Sequence, residues 1–137
     1  MKRVQLIIWT DSTAQKETDK EYRYCLASSS GRVYGDGSEH GTYNRVTLQA
    51  LLAGLERIDQ NAEVHIFSDN RFILNMAAHH LSQWEKNGFV TSKSVPVKNA
   101  DLWKEISRKK RSFILIGYYV DIQHREWLEE AATEQCM

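Results

Sequence analysis

The chain is poor in nearly everything that would build it other than as one packed core. One proline and seven glycines among 137 residues leave no Pro- or Gly-rich linker, and no internal repeat or low-complexity tract interrupts it. The two cysteines, Cys25 and Cys136, are far apart and lack metal-ligand spacing. A reduced, cytoplasmic protein fits that better than a disulfide framework does. No apolar run approaches twenty residues and no secretory segment is present, so a membrane span or a leader is not expected. Eighteen Lys and Arg cancel eighteen Asp and Glu, for a formal net charge of zero. Nothing global attracts a polyanion, and any nucleic-acid surface has to be local. The length suits a single domain over residues 1–137, large enough to bury its own core.

What is present is organised around Val64-His65-Ile66-Phe67-Ser68-Asp69-Asn70. A short, nearly continuous apolar run reads as a strand buried on both faces. The carboxylate at its end falls where an α/β sheet opens to solvent. The N-terminus repeats the form in Val4-Gln5-Leu6-Ile7-Ile8-Trp9-Thr10-Asp11-Ser12. If the two strands are parallel neighbours, Asp11 and Asp69 meet at one sheet edge, and such a pair repels itself unless protonated or neutralised by a cation. The plain alternative is two helix caps after two strands.

The rest of the chain supplies a frame. Val4 to Thr10 is the first strand, the polar Ala14–Glu21 an exposed loop, and Tyr22 to Ser28 a second strand. A turn at Ser29-Ser30-Gly31 leads to a third strand over Arg32–Gly35, and Gly35–Gly41 has a loop's composition. Leu48, Leu51, Leu52, Leu55 and Ile58 recur at helical spacing and predict a helix from Val46 to Ile58. Thr42 and Asn44 stand as caps at its start and Asn61 as a left-handed residue after its end. A helical stretch runs from Phe72 through Ala77 towards Trp84 and stops at Gly88. An irregular excursion over Phe89–Val97, a helix over Ala100–Lys110, a strand over Phe113–Val120 and a short helix over Arg125–Thr133 complete the chain. This order predicts a mixed five-stranded α/β sheet, the first three strands antiparallel and the others parallel, with helices on both faces.

Several of these residues carry a resemblance. Thr10-Asp11-Ser12, Asn44-Arg45-Val46-Thr47-Leu48, Ser68-Asp69-Asn70, Trp84, Gly88-Phe89 and Pro96-Val97-Lys98-Asn99-Ala100-Asp101-Leu102-Trp103 stand in the order of the landmarks of bacterial ribonuclease HI. The segment from Pro96 to Trp103 is the most specific of them. The likeness fades before Asn44 and after Val120. It implies a ribonuclease H-like fold and a magnesium-dependent endonuclease that cuts the RNA strand of an RNA–DNA hybrid, with four carboxylates holding two ions. Asp11 and Asp69 correspond to the family's first and third carboxylates, as catalytic and metal-binding residues. Thr42, Asn44 and Asn99 correspond to residues that contact the hybrid's backbone or sugar, and Trp84 to an aromatic of the DNA-strand channel. Helix capping and plain packing are the bland readings of the same residues.

The departures weigh as much. Thr47 stands where the family has its second carboxylate, a glutamate, and is neutral and too short to bridge metals. Glu56, the next acid on that helix, lies about 13 Å further along. For the fourth carboxylate the candidates are Glu129, Glu130 and Asp121, and His124 stands near a mobile histidine of the family, or is an ordinary loop residue. The glycine-rich loop after the first aspartate is replaced by Ala14–Glu21, and the basic protrusion is thinned to Trp84-Glu85-Lys86-Asn87-Gly88. Arg108 to Arg111 is either a residual basic patch or a solvated helix end. The expectation is a domain that binds RNA–DNA hybrid or a related nucleic acid with hydrolysis weak or lost. The alternatives are an active magnesium enzyme with a rearranged carboxylate set, and a non-catalytic protein-interaction module whose contact surface is Ala14–Glu21.

Overall fold

A computed structural model describes residues 1–134; Cys136 lies outside them. Cys25 is a buried free thiol. The sheet consists of β1 (Lys2–Thr10), β2 (Thr18–Ser28), β3 (Gly31–Gly41), β4 (Ala62–Ser68) and β5 (Phe113–Tyr119), in the spatial order β3-β2-β1-β4-β5. β1, β2 and β3 pair antiparallel, and β4 is parallel to both β1 and β5. The mixed sheet is the one the sequence predicts. The helices are α1 (Tyr43–Leu55), α2 (Arg71–His79), α3 (Leu81–Asn87), α4 (Ala100–Lys110) and α5 (Arg125–Ala132), the last preceded by a 3-10 turn over Ile122–His124. Among the described residues no helix is long and apolar enough to cross a membrane.

Alternation along β1 divides the molecule. Val4, Leu6 and Ile8 face a large core filled by α1, α2, α3 and α4, while Ile7 and Trp9 face a small cluster with Cys25 and with Leu128 and Ala132 of α5. Helices therefore lie on both faces, and among the described residues α5 is alone on its side. α1 is the central helix: Val46, Leu48, Ala50 and Leu55 are fully buried. Burial of each such leucine contributes about 2 kcal/mol. A Cβ on Gly54 would meet Leu6 Cδ1 at 2.5 Å, so only glycine lets α1 sit this close to β1. Thr42 caps α1, its Oγ1 accepting from Arg45 N at 3.2 Å.

Two stretches that read as loops are strands. Thr18–Glu21 opens β2, and Gly35–Gly41 lies within β3, paired residue for residue with β2. Lys20 belongs indoors here, being 1% exposed. Its ammonium donates to Lys16 O, Thr18 Oγ1 and Gly41 O, each at 2.7 Å, which exhausts its three donors. Tyr24 and Tyr22 lie opposite Gly35 and Gly37, and their rings occupy the space a Cβ would take. Cross-strand aromatic cover thus compensates for glycines that composition alone assigns to a loop. α1 begins and ends three residues before its expected bounds, because Glu56 ends it in right-handed geometry and Arg57 and Ile58 close short bonds onto Gly54 and Leu55. Asn61 is not among the left-handed residues, whereas Gly88 is, at φ 81°, and it stops α3 as expected.

Candidate functional site

The carboxyl ends of β1 and β4 are neighbours, because β1 and β4 pair in parallel with Ile7 opposite Phe67. Asp11 and Asp69 follow those ends, on adjacent strands. Their carboxylates are engaged differently. Asp11 N donates to Glu21 O, and Asp11 Oδ1 accepts from Glu21 N, both at 3.0 Å. This exposed side chain extends the pairing of β1 with β2, on the opposite flank of β1 from β4.

The side chain of Asp69 is 8% exposed, and both of its oxygens are taken. Oδ1 accepts from the Tyr43 hydroxyl in the first turn of α1. Oδ2 accepts from the Arg125 guanidinium, the first residue of α5. The other arm of that guanidinium donates to Thr10 O at the end of β1. Arg125 thereby ties β1, β4 and α5 together, with its guanidinium carbon 5.9 Å from the centre of the Trp9 ring. Burial, then the bond to Asp69, push the Tyr43 phenol far above the ordinary tyrosine range, so it is a permanent donor here.

Thr47 lies beneath this group, 1% exposed. Its hydroxyl donates to Tyr43 O at 2.8 Å and accepts from Asn70 Nδ2 at 3.1 Å. Asn70, and not Asp69, caps α2, its Oδ1 accepting from Ile73 N at 3.0 Å. Asn70 Nδ2 also donates to Asn44 Oδ1 at 3.0 Å, and Gln15 Nε2 reaches the same oxygen at 3.0 Å. Thr47, Asn70, Asn44 and Gln15 thus form a neutral network with its donors matched to acceptors. No buried side-chain nitrogen or oxygen lacks a partner among the described residues.

The remaining candidates are dispersed. Glu129 lies one helical turn beyond Arg125 and faces Arg23 of β2 at 3.8 Å, and Arg23 in turn donates to Thr133 Oγ1. The α5 residue that reaches Asp69 is therefore a cation, at the end of the chain where the sequence reading sought a carboxylate. Asp121 accepts from Gln123 N at 3.0 Å and bonds His124 Nδ1 at 2.8 Å; the bond to His124 holds its carboxyl below the usual range. Asn99 is left-handed at φ 60° and makes no cap bond, its Oδ1 accepting instead from Arg45 Nη1 at 3.3 Å. Trp84 packs edge-on against Trp103, ring centres 5.3 Å apart. Sequence reasoning passed over Tyr43, Asn70, Gln15 and Arg125 as site residues. For Arg125 a signal exists in the sequence, since it opens the last helix beside the candidate carboxylates Asp121 and Glu129.

This donor set does not fit a pair of divalent ions. Asp69 has no free oxygen, Asp11 is turned to β2, Thr47 is neutral, and a guanidinium occupies the gap between the strand ends. Among the described residues no three His, Cys, Asp or Glu side chains are grouped to hold a metal.

Residues 3–119 match the family model described as RNase H. The match ends with β5, so α5 and Arg125 lie beyond it. The chain is 30% identical over 102 residues to the ribonuclease H of Thermoanaerobacter sp. (strain X514), covering 71% of this chain and 66% of that protein. It is 32% identical over 116 residues to the ribonuclease H of Lachnoclostridium phytofermentans, covering 78% and 73%. The chain spans slightly less than two thirds of the former relative's length. In fold it is similar to LC9-RNase H1, a type 1 RNase H with the type 2 active-site motif, at TM-score 0.69 and 16% identity over 96% of this chain and 71% of that one. The foamy viral protease-reverse transcriptase in complex with dsDNA superposes at TM-score 0.70 and 18% identity over 96% and 90%. The strand order, the parallel β1–β4 pair with an aspartate after each strand, and the family match over most of its length together establish that the chain belongs to the RNase H family.

Proposed function

We propose that this chain is an RNase H-family domain that engages nucleic acid of the RNA–DNA hybrid class and does not hydrolyse it. The observation that carries the reading is the closed state of Asp69, with one oxygen on Tyr43 and the other on Arg125. Hydrolysis by two metal ions needs carboxylate oxygens open to both ions. Thr47, held by Tyr43 O and Asn70, adds no charge in place of a glutamate.

Binding is supported by what the fold keeps. Thr42, Asn44 and Asn99 are held in fixed positions at the starts of α1 and α4 by Arg45, Gln15 and Asn70. Contacts of that kind read the shape and 2′-hydroxyls of a hybrid more than its bases. Solved relatives of the same fold include a foamy viral protease-reverse transcriptase in complex with RNA/DNA hybrid. The cations near the thinned protrusion are partly spent, with Lys110 on Glu85 at 3.0 Å and Arg108 on Glu105. Affinity is therefore weak and salt-sensitive.

The test is a pair of measurements on the intact chain. Anisotropy titrations with hybrid, duplex DNA and duplex RNA at low and high salt are expected to show weak binding that favours hybrid. Incubation of labelled hybrid with magnesium or manganese is expected to show no cleavage. Absence of binding to every nucleic acid would favour the protein-interaction reading. Robust cleavage that Asp69→Asn abolishes would show that the site is a working one.

A further inference from the structure

A carboxylate as enclosed as Asp69 requires a counter-charge, since an isolated buried anion is strongly unfavourable. Where carboxylates cluster to bind ions, that charge comes from solution. Here it comes from the chain. Arg125 is always charged, and its planar fork presents two donors in fixed directions. One arm meets Asp69 after β4, and the other meets Thr10 O at the end of β1. The Tyr43 hydroxyl closes the remaining oxygen. A cation entering from solvent finds each carboxylate oxygen already hydrogen-bonded, in a side chain 8% exposed, and meets a positive charge already in place.

We infer that Arg125 is a resident cation, standing at Asp69 in the place of a divalent ion and fastening α5 to the strand ends, so that the domain closes without metal and excludes it. The inference rests on the reading of a non-hydrolytic site and deepens it by assigning that state to one side chain. Two observations agree with it independently of Asp69. Among the described residues α5 is the only helix on its face of the sheet, packed on the small cluster of Ile7, Trp9, Cys25, Leu128 and Ala132. Besides that cluster, among the described residues the polar ties from α5 to the strands run through two arginines, Arg125 and Arg23, and both flank Trp9, at 5.9 and 4.8 Å from its ring centre. Exclusion of divalent ions is then competitive, and one substitution lifts it.

The experiment follows thermal unfolding of wild type, Arg125→Gln and Arg125→Lys in EDTA and in millimolar Mn2+, with calorimetric Mn2+ titration of wild type and Asp69→Asn. Wild type is expected to unfold at the same temperature in both media and to give the same calorimetric trace as Asp69→Asn. Arg125→Gln is expected to unfold about 5 °C or more lower in EDTA, because an uncompensated buried charge remains. Mn2+ is expected to recover part of that loss through binding to the folded state. Arg125→Lys, with the charge but not the fork, falls between. An Arg125→Gln variant as stable as wild type, or one that Mn2+ does not raise, overturns the inference. So does Mn2+ binding by wild type that Asp69→Asn removes, a result that stands even if Arg125→Gln does not fold. None of these readouts involves nucleic acid, so failure of the chain to bind hybrid leaves them intact, and Mn2+ bound by wild type without cleavage would overturn this inference alone.

Discussion

The Tyr43 phenol, in the first turn of α1, donates to Asp69 after the end of β4, joining residues 26 apart in sequence. It makes the start of the central helix a direct partner of the buried carboxylate. Tyr43→Phe keeps the ring and removes the bond. The expected loss is about 1.5–3 kcal/mol, the range for a hydrogen bond to a charged group, read as a lower urea midpoint.

The same residue gives a pH dependence. Its folded pKa lies above the unfolded value because burial and the bond to Asp69 disfavour the phenolate. The folded state then keeps a proton that the unfolded state loses above about pH 10. Its contribution is complete below that pH and is lost as pH rises further. Stability of wild type should fall more steeply above pH 10 than that of Tyr43→Phe, as followed by denaturant midpoints at each pH.

Thr47→Glu alone is expected to give no metal-dependent cleavage of hybrid. The new side chain would be buried against Tyr43 O and Asn70 while Arg125 still saturates Asp69. The double variant Thr47→Glu with Arg125→Asp supplies two acids and removes the competing cation, and is the combination expected to gain magnesium- or manganese-dependent cleavage. Cleavage by the single variant, seen on a denaturing gel, would show that Arg125 yields to metal unaided.

Lys20→Met is expected to cost about 2–3 kcal/mol in urea unfolding. It leaves Gly41 O, Lys16 O and Thr18 Oγ1 without the donor that now satisfies them. Hydrogen exchange should quicken first at the Thr18 end of β2 and the Gly41 end of β3, where that ammonium joins the strands.

Arg45 spans three elements, with Glu39 at 3.2 Å and both oxygens of Asp101 at 3.1 and 2.9 Å. The guanidinium bond is the first cause holding the Asp101 carboxyl below its usual range. Its stabilisation is therefore present above about pH 4 and is lost as pH falls through the depressed value. Asp101 is 65% exposed, so the effect of Asp101→Asn is no more than about 1 kcal/mol and shrinks with added salt.

The backbone architecture was legible because it rests on short-range pattern. The apolar runs ending in Asp11 and Asp69, the leucine spacing in α1, and the stop at Gly88 are each fixed within a few residues, and the folded chain keeps them. The resemblance from Asn44 to Trp103 fixed the family, and the absence of an acid at Thr47 was plain from sequence alone. Strand pairing decided what composition missed. Lys20 and the glycines of β3 look like loop residues until Gly41 O receives the ammonium and the rings of Tyr22 and Tyr24 cover the missing Cβ positions. The state of the site was likewise a tertiary matter. Charge pairing depends on distance in space, and only packing α5 across the ends of β1 and β4 brings Arg125 to Asp69, 56 residues away in sequence, while Glu129, one turn along the same helix, is carried to Arg23 instead.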